Sequence, residues 1–97
     1  MQVMTRCTIK PGEVERVLEL LRAVYEELAT VEPDGLRYAS FQLDDGVSLV
    51  SFVELEHGPQ TLQQLPAFQR YRTELAQACV EPPVTAVLQE VGAYRFH

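Results

Sequence analysis

The feature that most constrains this chain is an alternating stretch centred on Asp45-Gly46, LRYASFQLDDGVSLVSFVEL, which spans residues 36–55. Runs rich in β-branched and aromatic residues flank the dipeptide, and Asp-Gly tolerates the positive φ angles of a two-residue type I′ turn. The pattern therefore predicts a β-hairpin in which Asp44 faces Val47.

Counting back from that turn predicts which residues of the two strands face each other. One face of the hairpin pairs Arg37 with Glu54, Ala39 with Phe52 and Phe41 with Val50, and the other pairs Leu36 with Leu55, Tyr38 with Val53, Ser40 with Ser51 and Gln42 with Leu49. The one charged pair has opposite signs, which favours this register. Both faces are at least half apolar, so the hairpin needs a layer of protein on each side.

The rest of the chain alternates between strand and helix patterns. The predicted elements are a strand over residues 2–10, a helix from Val14 that ends near 30–32, a short helical turn over 60–65, a helix from Pro66 that is ended by 81–83, and a strand over 84–96 with a bulge at Gly92. With the hairpin, this order predicts a single α+β domain over residues 1–97, the ferredoxin-like β-α-β-β-α-β arrangement. In it a four-stranded antiparallel sheet carries two helices on one face.

The predicted arrangement leaves the other face of the sheet uncovered. The hairpin and the last strand put apolar side chains on that face, and monomers rarely expose an apolar patch of more than a few hundred Å². We therefore expect a homodimer in which the two sheets pack against each other and bury at least about 1,000 Å² in total.

Composition and charge exclude several classes of partner. A net charge of −6, from 14 acidic and 8 basic side chains, argues against nucleic acid, because phosphate binding needs clustered Lys and Arg. It argues equally against an anionic membrane surface. No signal-peptide pattern and no apolar run of about 18 residues occurs, which predicts a cytoplasmic protein without a membrane span. In that compartment Cys7 and Cys79 are expected to be buried, reduced thiols.

Short motifs at the ends of the predicted elements resemble those of one family. They are Lys10-Pro11-Gly12 after the first strand, Pro33-Asp34-Gly35-Leu36-Arg37-Tyr38 at the start of the hairpin, Asp44-Asp45-Gly46 at its turn, and Leu65-Pro66-Ala67-Phe68 at the start of the late helix. Together with the order of elements, which covers nearly the whole chain, they resemble the antibiotic biosynthesis monooxygenase-like family of dimeric α+β barrel proteins.

The resemblance implies a dimeric α+β barrel in which small organic ligands bind between the sheet and the helices of each subunit. Members of the family include oxygenases that act without metal or flavin on polyketide-like phenols, haem-degrading enzymes and relatives of isomerases, so the fold does not by itself determine the activity. The chain departs from the oxygenase pattern at Leu62-Gln63-Gln64-Leu65, where a His is often found, and it contains no Trp. For an enzyme of this kind the resemblance implies cofactor-free oxygenation or isomerisation, so no cofactor is expected.

His57 is the candidate catalytic residue. It is the only internal histidine and it follows the second hairpin strand, where a base can face a pocket; an exposed loop histidine is the alternative. A metal site with Glu54 and Glu56 is not expected, because Glu54 and His57 fall on opposite faces of an alternating strand and Arg37 already faces Glu54. The terminal His97 is expected to be a solvated tail.

Three aromatic residues and one arginine are the candidate pocket residues. Tyr25 and Tyr71 lie on the apolar stripes of the two predicted helices, with Phe68 beside Tyr71, so these rings either line a ligand cavity or pack in the core. Arg6, in the first strand, either orients an anionic ligand or pairs at the surface. No Ser-His-Asp order, glycine-rich phosphate loop or carboxylate pair indicates another chemistry.

The function that these residues predict is binding of a small hydrophobic or aromatic metabolite. In the catalytic form that the resemblance implies, a cofactor-independent monooxygenase or isomerase, His57 ionises the substrate and the three rings hold it in a desolvated pocket. The alternative is a non-catalytic ligand-binding or assembly module. A cavity smaller than about 150 Å³ favours that alternative, because ligand sites span about 300 to 1,000 Å³.

Overall fold

Residues 1–96, the part of the chain that the computed structural model describes, form a four-stranded sheet and three α-helices. In chain order the elements are β1 (Gln2–Thr8), α1 (Val14–Val31), β2 (Leu36–Gln42), β3 (Ser48–Leu55), α2 (Gln60–Gln63), α3 (Pro66–Ala78) and β4 (Val84–Leu88). The strands lie in the order β2-β3-β1-β4, and every neighbouring pair is antiparallel. The predicted ferredoxin-like α+β fold is confirmed. The expectation for His97 lies outside the described residues.

The helix α1 is amphipathic, and its buried stripe faces the sheet. Val17, Leu21 and Val24 recur at spacings of four and three and are buried, as the period of a helix requires. The helix ends at Glu32, which adopts the left-handed conformation with a φ of 48°. The Glu32 N–H donates a hydrogen bond to the carbonyl of Leu28. Pro33 follows directly and cannot extend the helix.

The pairing of the hairpin strands is as predicted, residue for residue. Arg37 faces Glu54 and Ser40 faces Ser51, and all seven pairs have the predicted partners. The predicted type I′ turn is wrong. The connection is a four-residue loop over 44–47, because a type I′ turn needs positive φ at both central residues and Asp45 does not have it.

Asp45 explains the wider loop. Its carboxylate accepts hydrogen bonds from the backbone N–H groups of Val47 and Ser48 at 3.0 and 2.8 Å, and from the Ser48 hydroxyl at 2.5 Å. These bonds hold the pKa of Asp45 below its usual range, the Ser48 hydroxyl having the largest effect. Gly46 alone takes the left-handed conformation, with a φ of 78°.

Replacing Gly46 by alanine is expected to lower the free energy of unfolding by about 1 kcal/mol, because an L-residue is strained in the left-handed region. Among the described residues, no atom lies within 4 Å of a Cβ added at Gly46, so sterics add nothing to this cost. Gly12→Ala is the matched control, since a Cβ there also meets open space and φ is not positive. Urea unfolding of both variants measures the difference, and an equal effect of the two would contradict this account.

Two elements end earlier than predicted. β1 stops at Thr8, and Ile9 beyond it donates its N–H to the Val47 carbonyl at 2.8 Å and forms an isolated bridge with Cys79. Cys79 is extended at this bridge, and α3 ends at Ala78. Both cysteines are buried and free, and burial raises the pKa of Cys7 to about 12.

The last strand is also shorter than the predicted 84–96. β4 pairs with β1 only as far as Leu88, which faces Gln2, the first residue of β1. β1 has no residue left to pair with beyond that point, so the predicted bulge at Gly92 is not formed. Val91 and Tyr94 beyond it are 101 % and 81 % exposed.

The sheet has a helix-covered face and an open face. The core lies under the helices, where Cys7, Ile9 and Leu49 of the strands meet Val17 and Tyr71. Strand parity puts the following apolar residues on the open face: Met4, Ala39, Phe41, Val50, Phe52, Val84, Ala86 and Leu88. No helix within residues 1–96 is long and apolar enough to cross a membrane.

Candidate functional site

A cavity of about 910 Å³ lies between the sheet and the helices α2 and α3. It falls within the range of small-molecule sites, about 300 to 1,000 Å³. The sheet contributes Val3, Thr5, Tyr38, Ser51, Val53, Leu55, Thr85 and Val87, and the helices contribute Leu62, Phe68, Gln69, Tyr71, Arg72, Thr73, Leu75 and Ala76. The walls are therefore mostly apolar, with hydroxyl groups as the main polar component.

The cavity exists because the helix layer does not extend over the whole sheet. The helix α3 packs beside α1, and Arg16 of α1 forms an ion pair with Glu74 of α3. The edge strand β4 is left without a helix above it, so Val87 is 71 % exposed although it lies on the same face as the core. The space between α3 and β4 is open to solvent.

The start of α3 positions the aromatic residues of the cavity. Pro66 is suited to the first helical turn, where its missing N–H is not needed. The carboxylate of Glu27 on α1 accepts a hydrogen bond from the Ala67 N–H at 3.2 Å, which satisfies a free donor of this turn. From there the helical spacing puts Phe68 and Tyr71 on the side facing the sheet.

Four aromatic rings form a continuous row beneath the helices. Ring centroids are 5.3 Å apart for Tyr25 and Tyr38, 6.4 Å for Tyr38 and Phe68, and 6.3 Å for Phe68 and Tyr71. These separations are typical of favourable aromatic contacts. Of the predicted pocket residues, Phe68 and Tyr71 line the cavity, while Tyr25 lies behind Tyr38.

The hydroxyl groups of this row connect to two serines of the hairpin. The Tyr25 hydroxyl and Ser40 Oγ are 2.8 Å apart, and Ser40 Oγ is 2.9 Å from Ser51 Oγ. Burial raises the pKa of Tyr25, and it raises the pKa of Tyr38 to about 12. Burial also raises the pKa of Tyr71. These phenols are therefore neutral at physiological pH.

His57 lies at the surface beyond β3. Its Nε2 is 3.6 Å from a carboxylate oxygen of Asp34, and its side chain is 57 % exposed. Gly35 allows this position, because a Cβ there would come within 2.7 Å of the imidazole. His57 is not among the described residues that line the cavity, so its catalytic role stays a prediction.

Arg6 belongs to the open face of the sheet, opposite to the cavity. It borders a separate cleft of about 380 Å³ with Thr8, Glu81 and Val84. The structure therefore does not bring Arg6 together with Phe68 and Tyr71. Within residues 1–96, no group of three His, Cys, Asp or Glu side chains is placed to hold a metal ion.

Sequence reasoning missed Tyr38 and Ser51, which line the cavity. A signal for them was present in the hairpin register, since Ser40 faces Ser51 on the face that also carries Tyr38 and Leu55. Two hydroxyl groups opposite each other on an otherwise apolar, buried face need a polar neighbour. The nearby tyrosine hydroxyls provide it.

The fold and the cavity define a ferredoxin-like α+β protein with an open, mostly apolar, ligand-sized site between sheet and helices. No protein-family model matches the sequence, and no curated protein sequence matches it either.

Solved structures do match this fold over nearly the whole chain. A putative antibiotic biosynthesis monooxygenase from Nitrosomonas europaea is 17% identical, with a TM-score of 0.78 over 95% of this chain and 100% of that chain. A crystal structure of an antibiotic biosynthesis monooxygenase is 19% identical, with a TM-score of 0.75 over 94% of this chain and 98% of that chain. A putative antibiotic biosynthesis monooxygenase from Bacteriodes thetaiotaomicron is 15% identical, with a TM-score of 0.76 over 94% of this chain and 89% of that chain. The fold is that of antibiotic biosynthesis monooxygenase-like proteins, as the resemblance predicted.

Proposed function

We propose that this protein binds a small hydrophobic, aromatic metabolite in the cavity between α3 and the sheet. The observation that carries the proposal is the cavity itself, whose volume of about 910 Å³ lies within the range of small-molecule sites, about 300 to 1,000 Å³. Val53, Leu55, Phe68 and Leu75 provide apolar walls for a ring system. Such walls, with a few polar groups, are typical of small-molecule sites.

The catalytic form of this proposal is cofactor-independent oxygenation or isomerisation. It is supported by the names of the structurally similar proteins, which include antibiotic biosynthesis monooxygenases. In an oxygenation, a base such as His57 takes the proton of a phenol, and the ring then reacts with dioxygen to give a quinone and water. The substrate supplies all the electrons, so no cofactor is needed.

The alternative is a non-catalytic ligand-binding or assembly module. One observation favours it: among the described residues that line the cavity, none is a histidine, an aspartate or a glutamate. A general base within hydrogen-bond reach of a bound substrate would therefore have to come from outside this lining.

We also propose that the protein is a homodimer joined through the open face of the sheet, the arrangement of a dimeric α+β barrel. Phe41 and Phe52 lie on that face with their rings 6.0 Å apart, and they are 55 % and 41 % exposed in one copy. Val84, 63 % exposed, extends the same apolar surface at the other edge. A second copy of this sheet is an apolar surface of matching size and chemistry.

The test is a titration with 2-naphthol, combined with measurement of oxygen consumption. Wild-type protein and His57→Ala are expected to bind 2-naphthol with dissociation constants within about twofold of each other, because His57 lies outside the cavity. If His57 is the base, the variant consumes oxygen at least about 100-fold more slowly, the usual effect of a general base.

Each outcome separates the hypotheses. Absence of 2-naphthol binding would contradict the proposed ligand site. Equal oxygen consumption by wild-type protein and His57→Ala would exclude His57 as the base. Binding by both proteins without oxygen consumption by either would favour the non-catalytic alternative.

A further inference from the structure

The charges that border the cavity are positive, although the protein as a whole is acidic. The chain has 14 acidic and 8 basic side chains, yet none of the described residues that line the cavity is an aspartate or a glutamate. Arg72 of α3 lines it, and so does Met1, whose ammonium group donates a hydrogen bond to the Leu55 carbonyl at 3.3 Å. Because charges of one sign lie next to the cavity, they favour a ligand of the opposite sign.

Arg72 is the positive group of this wall that is available to a ligand. Arg72 is exposed, and within residues 1–96 its guanidinium has no ion-pair or hydrogen-bond partner. The carboxylate of Glu74, two residues further along α3, is already paired with Arg16 and with Arg70. These arginines hold the pKa of Glu74 below its usual range, Arg16 having the largest effect. The five N–H donors of Arg72 are therefore left for a ligand.

The position of Arg72 relative to Phe68 fits a particular kind of anion. The two residues are four apart on α3, and both line the cavity. Side chains at this spacing are neighbours on a helix, with Cβ atoms about 5 to 6 Å apart, which is about the distance from the centre of an aromatic ring system to a carboxylate attached to it. A planar guanidinium also matches a carboxylate with two parallel hydrogen bonds.

We infer that the ligand of this cavity is an aromatic carboxylate, whose ring system lies against Phe68 and whose carboxylate binds the guanidinium of Arg72. Because Arg72 is exposed, the bound carboxylate keeps part of its hydration and avoids most of the cost of burying a charge. Arg72 thus takes the anion-orienting role that the sequence predicts for Arg6, which lies on the open face of the sheet. This inference rests on the proposed ligand site and adds the charge of its ligand.

The test compares three probes that share one bicyclic frame and differ in charge: 2-naphthoate, neutral 2-naphthamide and cationic 2-naphthylmethylammonium. Each is titrated into wild-type protein and Arg72→Gln. The wild-type protein is expected to bind 2-naphthoate about 3- to 10-fold more tightly than 2-naphthamide. Arg72→Gln is expected to weaken 2-naphthoate binding about 5- to 20-fold, the effect of a charge-assisted contact at an exposed site. It should change 2-naphthamide binding by less than about twofold and tighten binding of the cation.

Arg70→Gln is the matched control, because it removes the same charge from the same helix and Arg70 is not among the described residues that line the cavity. It should change each affinity by less than about twofold. Arg72→Lys keeps the charge and removes the planar fork, so its affinity for 2-naphthoate should lie between those of wild-type protein and Arg72→Gln.

Three results would overturn the inference. They are an unchanged affinity of Arg72→Gln for 2-naphthoate, equal weakening of 2-naphthoate and 2-naphthamide by that variant, and equal weakening of 2-naphthoate by Arg70→Gln and Arg72→Gln. Tighter binding of 2-naphthamide than of 2-naphthoate by wild-type protein would overturn it as well. In each case the proposed ligand site itself would stand, because the neutral probe still binds. If none of the three probes binds, the proposed function fails and this inference with it.

Discussion

Replacing Phe52 by glutamate is expected to convert the protein from a dimer to a monomer at micromolar concentration. Phe52 lies near the middle of the open sheet face, opposite Ala39 on one side and Met4 on the other, and packs against Phe41. Removing an aromatic anchor from an interface centre typically costs 2 kcal/mol or more, and a buried carboxylate adds to this cost. We expect the dimer dissociation constant to rise about 30-fold or more.

Sedimentation velocity over a range of concentrations measures this change. Val31→Glu is the control, since Val31 is 52 % exposed at the end of α1, on the helix side of the sheet. That variant should remain dimeric. A wild-type protein that is monomeric at micromolar concentration would exclude the proposed dimer, and a dimeric Phe52→Glu would exclude the open face as its interface.

Replacing Leu21 by alanine is expected to lower the free energy of unfolding by about 2 to 5 kcal/mol. Leu21 is 6 % exposed and belongs to the core cluster that α1 shares with Ile9, Leu49 and Tyr71. Truncation removes apolar contacts and leaves a cavity that elements on all sides prevent from closing. This is a large part of the stability of a typical domain, about 5 to 15 kcal/mol.

Urea unfolding at one fixed protein concentration measures the loss, because stability and dimerisation are linked. Val31→Ala is the control on the same helix, and its exposed side chain predicts a change of about 0.5 kcal/mol or less. A loss below about 1 kcal/mol for Leu21→Ala would show that this position is less well packed than its burial indicates.

The hairpin shows where local pattern is sufficient and where it is not. The register of seven residue pairs follows from the alternation, because shifting a strand by one residue would expose its buried face. The loop type does not follow from Asp45-Gly46 alone. The Asp45 carboxylate accepts hydrogen bonds from the backbone N–H groups of Val47 and Ser48, and these bonds favour a four-residue loop over a two-residue turn.

The candidate site was predictable only in part. Phe68 and Tyr71 follow from the apolar stripe of α3, and both line the cavity. Whether such a residue faces a cavity or a packed core depends on neighbours that are distant in the chain. His57 and Arg6 could be identified by residue type, but their positions relative to the cavity depend on the loop after β3 and on the face of β1.

The sequence by itself determined the kinds of element, their order along the chain, and the register and two faces of the hairpin, because periodicity, proline positions and turn residues act over a few neighbouring residues. Only the tertiary structure decided that α3 lies beside α1 and leaves β4 uncovered, which opens the cavity. It also decided that Tyr38 of the hairpin meets Phe68 of α3, two residues 30 positions apart. A cavity is the space left where such distant elements fail to meet, so it depends on their packing and not on any local pattern.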